Sequence, residues 1–209
     1  MVLHTAGDGM EWLGCRLLLG SKSPRRRELV ECLGLPCRIV DIEAEELLTE
    51  AVPSDKVAET LARRKSLAYS GSLDDDEVLV TADTVVVHQD SVLGKPCSRQ
   101  EAVGMLHMLS GCTHQVYTGV CLRGNRSTIS FTERTDVSFH ALSDEEVDYY
   151  VDTFRPYDKA GSYGIQEWIG MVGIDRIEGC FYNVMGLPVA RLYKELKRIV
   201  DRNPAFIHQ

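Results

Sequence analysis

The chain has 209 residues, of which 44% are hydrophobic and 26% charged, and its 31 acidic and 23 basic residues give a formal net charge of −8. This composition is that of a folded globular protein and excludes collagen-like, low-complexity and disordered chains. The acidic balance argues against a general binder of nucleic acid polymers or of anionic membranes. An anionic ligand would therefore need a local basic pocket.

A single domain is expected, because no repeat, linker or charge block divides the sequence and the length suits one core. The expected domain covers residues 15–202, between a poorly ordered N-terminal extension, residues 1–14, and a C-terminal tail, residues 203–209. The apolar stretches are shorter than the roughly 20 residues that cross a bilayer, and the start lacks the layout of a secretory signal. Seven dispersed cysteines with no C-x-x-C pair indicate reduced thiols and hence a cytoplasmic protein.

Apolar periodicity and helix-boundary residues predict an alternation of strands and helices. In the first part of the chain these are a strand at Arg16–Leu19, a helix from Pro24 to Leu33 that Gly34 ends, a strand around Arg38–Asp41 and a helix from about Asp55 to Ser70. In the remainder they are a strand at Val78–His88 that turns at Gln89-Asp90 into Val92-Leu93, a helix capped by Ser98, strands at His114–Leu122 and Ser127–His140, a helix capped by Ser143, and a last helix from Pro188 to about Val200. Because hairpins interrupt the alternation, the predicted fold class is α/β, with a mixed, twisted β-sheet flanked by helices.

A basic segment begins the first predicted helix. Ser23 is a suitable N-cap and Pro24 a suitable first helical residue, but the same turn is rich in cations: Lys22, Arg25, Arg26 and Arg27. Cations oppose the helix dipole at this end unless an anion lies among them. A strand, a Gly/Ser loop and a helix N-terminus form a ready phosphate site. On these residues alone, a solvated basic turn explains the pattern about equally well.

Asp83 lies inside an otherwise apolar strand, Val78–Val87. Burying an unpaired carboxylate there would be costly or would keep it protonated. A β-bulge, or a strand end at the carboxyl edge of the sheet, could turn the side chain into a cleft. There it could hold a divalent metal or act as a general base. The alternative is a structural aspartate that caps a loop, but no turn residues surround Asp83, so we favour the functional interpretation.

Two lysines carry weaker signals. Lys65 interrupts an apolar stripe of the second predicted helix. Taken alone, the simplest interpretation is a lysine at the edge of the stripe whose ammonium group reaches water. Gly94 and Pro96 frame Lys95, an arrangement that aims a side chain but is also common in surface turns.

Two later segments are also ambiguous. A shaped loop is expected at Asp158–Gln166, entering a strand, and Gln166 offers both a donor and an acceptor to a base edge; an ordinary surface loop is equally consistent. Asn183–Pro188 is interpreted as the start of the last helix. The sequence contains no H-E-x-x-H, G-x-S-x-G or paired-cysteine motif, which excludes zinc proteases, serine hydrolases and zinc fingers.

Taken in order, these segments resemble the Maf family of cytoplasmic nucleoside triphosphate pyrophosphatases, from about Arg16 to Val200. The segments that carry the resemblance are Leu19–Arg26, Ala82–Thr84, Gly94–Pro96, Ser110–Thr118, Asp158–Gln166 and Asn183–Pro188. One departure is Gly20, where the family usually has alanine. The resemblance implies an inosine-triphosphatase-like fold, with two lobes around a nucleotide cleft and commonly a homodimer.

The resemblance also implies roles for individual side chains. Those implied in catalysis are Asp83, Lys65 and Lys95. Those implied in substrate binding are Ser21, Ser23, Arg25, Arg26, Thr84, Gln166 and Glu46. The implied ligands of a divalent metal, Mg²⁺ or Mn²⁺, are Asp83 and Glu46.

Three of these positions separate branches of the family. Arg25, Thr84 and Gln166 resemble the dTTP/UTP-type branch, whereas the 7-methyl-GTP-type branch tends to have tryptophan at the first position. The expected reaction is attack of water on the α-phosphorus, which releases pyrophosphate and a nucleoside monophosphate. The expected partner is therefore a nucleoside triphosphate, with no nucleic acid polymer and no membrane. Two alternatives stay open: a pyrophosphatase for modified nucleotides, and a non-catalytic nucleotide-binding regulator of cell division.

Overall fold

The computed structural model describes residues 13–44 and 52–202. Glu46, most of the predicted N-terminal extension and the predicted C-terminal tail lie outside these residues. The strands are β1 (Arg16–Leu19), β2 (Cys37–Ile39), β3 (Glu77–His88), β4 (Ser91–Leu93), β5 (Thr113–Arg123), β6 (Thr128–Phe139) and β7 (Ile174–Glu178). The helices are α1 (Pro24–Glu31), α2 (Ser54–Ala68), α3 (Arg99–Leu109), α4 (Asp144–Phe154), α5 (Trp168–Val172), α6 (Phe181–Met185) and α7 (Val189–Arg202), with a 3₁₀ helix at Ala160–Ser162.

The strands form one mixed sheet. Its order is β2-β1-β3-β5-β6-β7, and β4 pairs with β3 outside this path. β1 runs parallel to β2 and to β3, whereas the pairs β3–β4, β3–β5, β5–β6 and β6–β7 are antiparallel. A mixed sheet flanked by helices confirms the predicted fold class.

Among the described residues three hydrophobic cores include side chains of β3: two lie towards its opposite ends, and a smaller one packs α2 against Val85 and Val87. The first includes Val78 and Val80 of β3, with side chains of β1, α1 and α7 packed around them. The second includes Val86 of β3 and gathers side chains of α3, α4 and α5. The middle of β3 therefore lies between the two larger cores. Within the described ranges, no helix combines the length and apolar character needed to cross a bilayer.

The middle of β3 also has an open edge. β1 pairs with β3 only as far as Val80, and β4 begins to pair with it at Val86. On the other side, β3 pairs with β5 without a break through Asp83. The expectation that Asp83 lies at a β-bulge or at a strand end is therefore wrong. The neighbouring strand ends instead, and this opens the sheet edge beside a continuous strand.

The structure corrects two expectations in the last third of the chain. The loop Asp158–Gln166 enters α5 rather than a strand, and the strand that follows, β7, is an edge strand with three charged residues among five. Such a strand lacks the apolar pattern that would have predicted it. Asn183 lies in α6, a separate short helix rather than the start of the last one. Gly186 ends α6 with a left-handed φ of 113°, which glycine adopts without strain.

Candidate active site

A cavity of about 1320 Å³ opens at the unpaired middle of β3. It brings together side chains from segments that are far apart in the sequence. Nine of the ten residues to which the family resemblance gave roles line it: Ser21, Ser23, Arg25, Arg26, Lys65, Asp83, Thr84, Lys95 and Gln166. The tenth, Glu46, lies outside the described residues.

Lys65 and Asp83 form an ion pair inside this cavity. Nζ of Lys65 lies 2.7 Å from Oδ2 of Asp83, and both side chains are 16% exposed. The other oxygen, Oδ1, accepts the backbone N–H of Thr84 at 2.8 Å. The interpretation of Lys65 as a lysine that only reaches water is therefore wrong, and Asp83 is a partly buried carboxylate with a cation beside it.

Asp83 and Thr84 project to opposite faces of the sheet, as successive strand residues do. Asp83 faces α2, where it meets Lys65. Thr84 faces α1, where its hydroxyl accepts a hydrogen bond from Nη2 of Arg26 at 3.0 Å. Both side chains nevertheless line one cavity, because the cavity surrounds the open edge of β3.

Arg26 is held at the junction of three parts of the chain. Besides Thr84, it donates to the carbonyl oxygen of Ala82 at 2.9 Å and to that of Gly186 at 2.8 Å. The segment that contains Asn183 and Gly186 therefore supports the site, a role that local sequence reasoning missed. The feature of the sequence that indicates this role is Gly186, because the left-handed backbone conformation that glycine favours directs its carbonyl group towards Arg26.

The loop before α1 has the geometry expected of an anion site. The hydroxyl of Ser21 accepts the backbone N–H of Ser23 at 3.2 Å, and Nη1 of Arg26 lies 3.4 Å from it. Ser23 occupies the N-cap position without a side-chain capping bond, and the first turn of α1 has no acidic residue. The N-terminus of α1, Arg25 and Arg26 thus all face the cavity, and the first turn of the helix holds no carboxylate of its own.

Gly20 is buried at the end of β1, close to the side chains of Ile42 and Thr81. A Cβ atom on Gly20 would lie 2.3 Å from Cδ1 of Ile42 and 2.9 Å from Cγ2 of Thr81. The Ile42 side chain therefore takes the space that an alanine methyl group would need.

Gln166 has a polar atom with no partner among the described residues. Its Oε1 is buried without a hydrogen bond, and the residue lines the cavity. A buried amide oxygen without a partner is unfavourable, so this atom is suited to accept a hydrogen bond from a ligand.

Asp158 and Lys159 are charged residues of the site to which the sequence assigned no role, although both lie in the loop it singled out. Oδ2 of Asp158 lies 2.7 Å from Nη1 of Arg25, and Oδ1 lies 2.7 Å from Nζ of Lys159. Burial opposes ionisation of Asp158, but the hydrogen bonds from Lys159 and Arg25 outweigh it and lower the pKa of Asp158 to about 2. Asp158 is therefore an anion that holds two cavity cations.

Lys95 is the least constrained of the cavity lysines. It is exposed and lines the cavity after the β3–β4 hairpin. Its role in catalysis stays a prediction.

Comparison with known proteins identifies the family. A model of the family described as Maf-like protein matches residues 16–199. The chain belongs to the Maf-like protein family. The resemblance inferred from the sequence motifs is thereby confirmed.

Several relatives of this Maf-like protein carry the name dTTP/UTP pyrophosphatase. One from Porphyromonas gingivalis is 51% identical over 194 residues, which are 90% of this chain and 96% of the relative. One from Parabacteroides distasonis is 48% identical over 183 residues, 87% of this chain and 95% of the relative. A third, from Flavobacterium johnsoniae, is 40% identical over 185 residues, 88% and 95% of the respective chains. The similarity thus extends over nearly all of each relative.

Proposed function

We propose that this Maf-like protein hydrolyses nucleoside triphosphates, with dTTP and UTP as substrates, to the monophosphate and pyrophosphate. The observation that carries the proposal is the 2.7 Å contact between Lys65 and Asp83 in a cavity lined by several cations. The name dTTP/UTP pyrophosphatase of its relatives supports the same activity.

The triphosphate binds where positive charge is concentrated. The chain has a net charge of −8, so a polyanion depends on a local cluster of cations. The cavity supplies one, from four separate segments: Arg25, Arg26, Lys65, Lys95 and Lys159. The N-terminus of α1 and the hydroxyl groups of Ser21 and Ser23 add hydrogen-bond donors for phosphate oxygens.

Asp83 acts on the attacking water. Its carboxylate takes the water proton as the oxygen attacks the α-phosphorus, and pyrophosphate leaves with the electrons of the broken P–O bond. Lys65 holds this carboxylate in place through Oδ2 and, with Lys95, stabilises the negative charge that develops on the phosphate oxygens.

The carboxylates of the site can hold a divalent metal, Mg²⁺ or Mn²⁺, together with the phosphates of a bound nucleotide. In the part of the chain that the structure describes, no cluster of three histidine, cysteine or acidic side chains forms a metal cage. Mg²⁺ is commonly held by one or two carboxylates together with substrate phosphates, a set that Asp83 and Glu46 would supply with the bound nucleotide. The bound metal would neutralise charge on the phosphate oxygens.

Gln166 supports a preference for uracil and thymine. These bases present an N–H donor between two carbonyl groups, and a glutamine amide offers a matching acceptor and donor. The buried, unpartnered Oε1 of Gln166 provides that acceptor.

Two further parts of the proposal concern assembly and location. A homodimer follows from the family resemblance, and exposed apolar side chains on three consecutive elements, α5, β7 and α6, support it: Met171, Val172, Ile177, Phe181 and Tyr182. Light scattering during size-exclusion chromatography tests the homodimer, and a monomeric mass contradicts it.

The proposed location is the cytoplasm, which is supported by seven cysteines that are all free thiols. Cell fractionation tests this location.

Pyrophosphate release across a nucleotide panel tests the proposed activity. The panel contains UTP, dTTP, CTP, ATP, GTP and 7-methyl-GTP, each with Mg²⁺, with Mn²⁺ and with a chelator. We expect the highest kcat/KM for UTP and dTTP and a loss of turnover in the chelator. Nucleotide binding without pyrophosphate release under every condition would instead identify a non-catalytic regulator.

A further inference from the structure

Glu167 directly follows Gln166 and occupies the N-cap position of α5. Its side chain makes no capping bond. Instead, Oε1 lies 2.9 Å from Nζ of Lys159, and Oε2 accepts a hydrogen bond from the hydroxyl of Tyr150. Glu167 is not among the residues that line the cavity. Its two oxygens therefore hold two groups of the protein in place.

The first of these groups, Tyr150, is a fixed anchor. It is fully buried in α4, within the second hydrophobic core, and is stacked on Phe154. Burial and the hydrogen bond to Glu167 raise the pKa of Tyr150, so its hydroxyl remains a donor at neutral pH. The same oxygen accepts the backbone N–H of Gly164 at 3.0 Å. The loop is thus tied to this anchor two residues before Gln166.

The second group, Lys159, links Glu167 to the phosphate side of the cavity. Its ammonium lies between Glu167 and Asp158, and the other oxygen of Asp158 lies 2.7 Å from Arg25. A continuous series of alternating charges therefore connects Arg25 of α1 to the start of α5. If Glu167 loses its charge, Lys159 keeps its contact with Asp158 but is no longer held to the start of α5 by an ion pair, so the series that ends at Arg25 loses that attachment.

The loop packs closely around these groups. A Cβ atom on Gly164 would lie 2.8 Å from Cδ of Glu167 and 3.0 Å from Cε of Lys159. Gly161 and Ser162 have left-handed φ angles of 68° and 62°, a conformation that the surroundings must impose on a serine. The shape of the loop is therefore set by its contacts, and Glu167 makes two of them.

We propose that Glu167 is a positioning residue for this reaction. Through Lys159 and Tyr150 it fixes the loop so that Gln166 meets the base while Arg25 stays aligned for the phosphates. The inference rests on the proposed function, which it deepens by assigning base selectivity to a residue outside the cavity lining.

Glu167→Gln tests the proposal, since the amide keeps the shape and can still accept from Tyr150 but loses the charge that pairs with Lys159. We expect the KM for UTP to rise about tenfold, as for the loss of one charged hydrogen bond, with kcat within about twofold of the wild type. The preference for UTP over CTP should fall. The Kd of α,β-methylene-UTP, which cannot be cleaved at this bond, should rise in parallel with KM.

Tyr150→Phe provides a second variant, because it keeps the buried ring and removes the bridging hydroxyl. It should raise KM and Kd in the same direction, and the double variant should do so by less than the product of the two single effects. Asp152→Asn is the matched control: it removes an exposed ion pair with Arg99, at 2.7 Å, on the same helix α4. Its KM and Kd should equal those of the wild type.

An unchanged KM and Kd in folded Glu167→Gln overturns the proposal, as does a loss of kcat at unchanged KM. If Glu167→Gln does not fold by circular dichroism, Tyr150→Phe decides by the same two criteria. A wild-type protein that binds the analogue but releases no pyrophosphate overturns the proposed function alone, because the comparison of Kd values still tests the positioning role.

Discussion

Asp83 lies directly opposite Gly119 in the antiparallel pair of β3 and β5. Residues opposite each other project to the same face of a sheet, so the missing side chain of Gly119 leaves room beside the Asp83 carboxylate. The backbone of α2 occupies that room: a Cβ atom on Gly119 would lie 2.2 Å from the backbone nitrogen of Glu59. The close approach of α2 is what brings Lys65 to Asp83.

Gly119→Ala should therefore separate these two groups. Because the obstructing atoms belong to the helix backbone, α2 must move, and we expect a loss of roughly 2–4 kcal/mol of stability together with a lower kcat. Urea denaturation and pyrophosphate release measure the two effects. Gly104→Ala in α3, where an added Cβ meets nothing within 4 Å, should be neutral or stabilising. Wild-type kinetics in folded Gly119→Ala would contradict the role of helix approach.

Asp83→Asn should lower kcat by about 10²–10⁴-fold, the usual range for loss of a general acid or base. The fold should persist, because the amide has the same shape. Pyrophosphate release measures kcat, the Kd of α,β-methylene-UTP shows whether nucleotide binding persists, and a thermal melt shows whether the fold persists. Asp90→Asn, an exposed change in the turn after the same strand, is the control. Turnover equal to wild type would remove the role assigned to Asp83.

Gln166→Leu should reduce kcat/KM for UTP and dTTP by about 10- to 100-fold, because a base N–H loses its acceptor. The value for ATP should change much less. The measurement is kcat/KM across the panel, and Gln100→Leu on the exposed side of α3 is the control. An equal loss for every nucleotide would show that Gln166 does not read the base.

Protein stability should fall on acidification because of His114. Burial, with a smaller contribution from nearby His88, lowers the pKa of His114 from 6.5 to about 4. The unfolded chain therefore binds this proton first, so the stabilisation is complete above 6.5 and is lost as the pH falls towards 4. The loss amounts to about 3 kcal/mol. Urea denaturation measures the free energy of unfolding over this pH range, and it should depend less steeply on pH in His114→Gln than in the wild type. The same dependence on pH in both proteins would contradict the role assigned to His114.

Gly20→Ala should destabilise the protein by about 0.5–1.5 kcal/mol, the usual cost of moving a side chain away from its preferred rotamer, because the new methyl group meets the end of the half-buried Ile42 side chain. Ile42→Val removes Cδ1, the nearest obstructing atom, and should recover part of the loss. Thermal melts of both single variants and the double variant measure this coupling. Additive effects would exclude Ile42 as the reason for glycine at this position.

The sequence predicted the site better than it predicted the local structure around it. Asp83 stood out because a carboxylate in an apolar strand has an energetic cost that calls for a reason, and the basic start of α1 stood out because it opposes the helix dipole. Lys65 carried only a weak signal, since a lysine at the edge of an apolar stripe is common in proteins and its ammonium usually reaches water. Its assignment came from the family resemblance, and the contact with Asp83 is visible only in the fold.

The roles of Glu167 and Gly119 could not be predicted from the sequence. A glutamate after a loop and a glycine in a strand are ordinary locally, and their importance depends on Tyr150 and on α2, which are distant along the chain. The strand β7 and the helix α6 were missed because each has only five residues, too few to show a clear periodicity, and β7 is in addition a charged edge strand.

By itself the sequence determined the class of fold and the positions of the long strands and helices, since these follow from local periodicity, and it singled out Asp83 and the basic start of α1 by the cost of misplaced charge. Tertiary structure alone decided that β1 ends beside Asp83, that α2 approaches Gly119, and that Asp158 holds Arg25 and Lys159. The physical reason is that ion pairs and close backbone approaches act over a few ångströms, between residues whose separation along the chain carries no information about that distance.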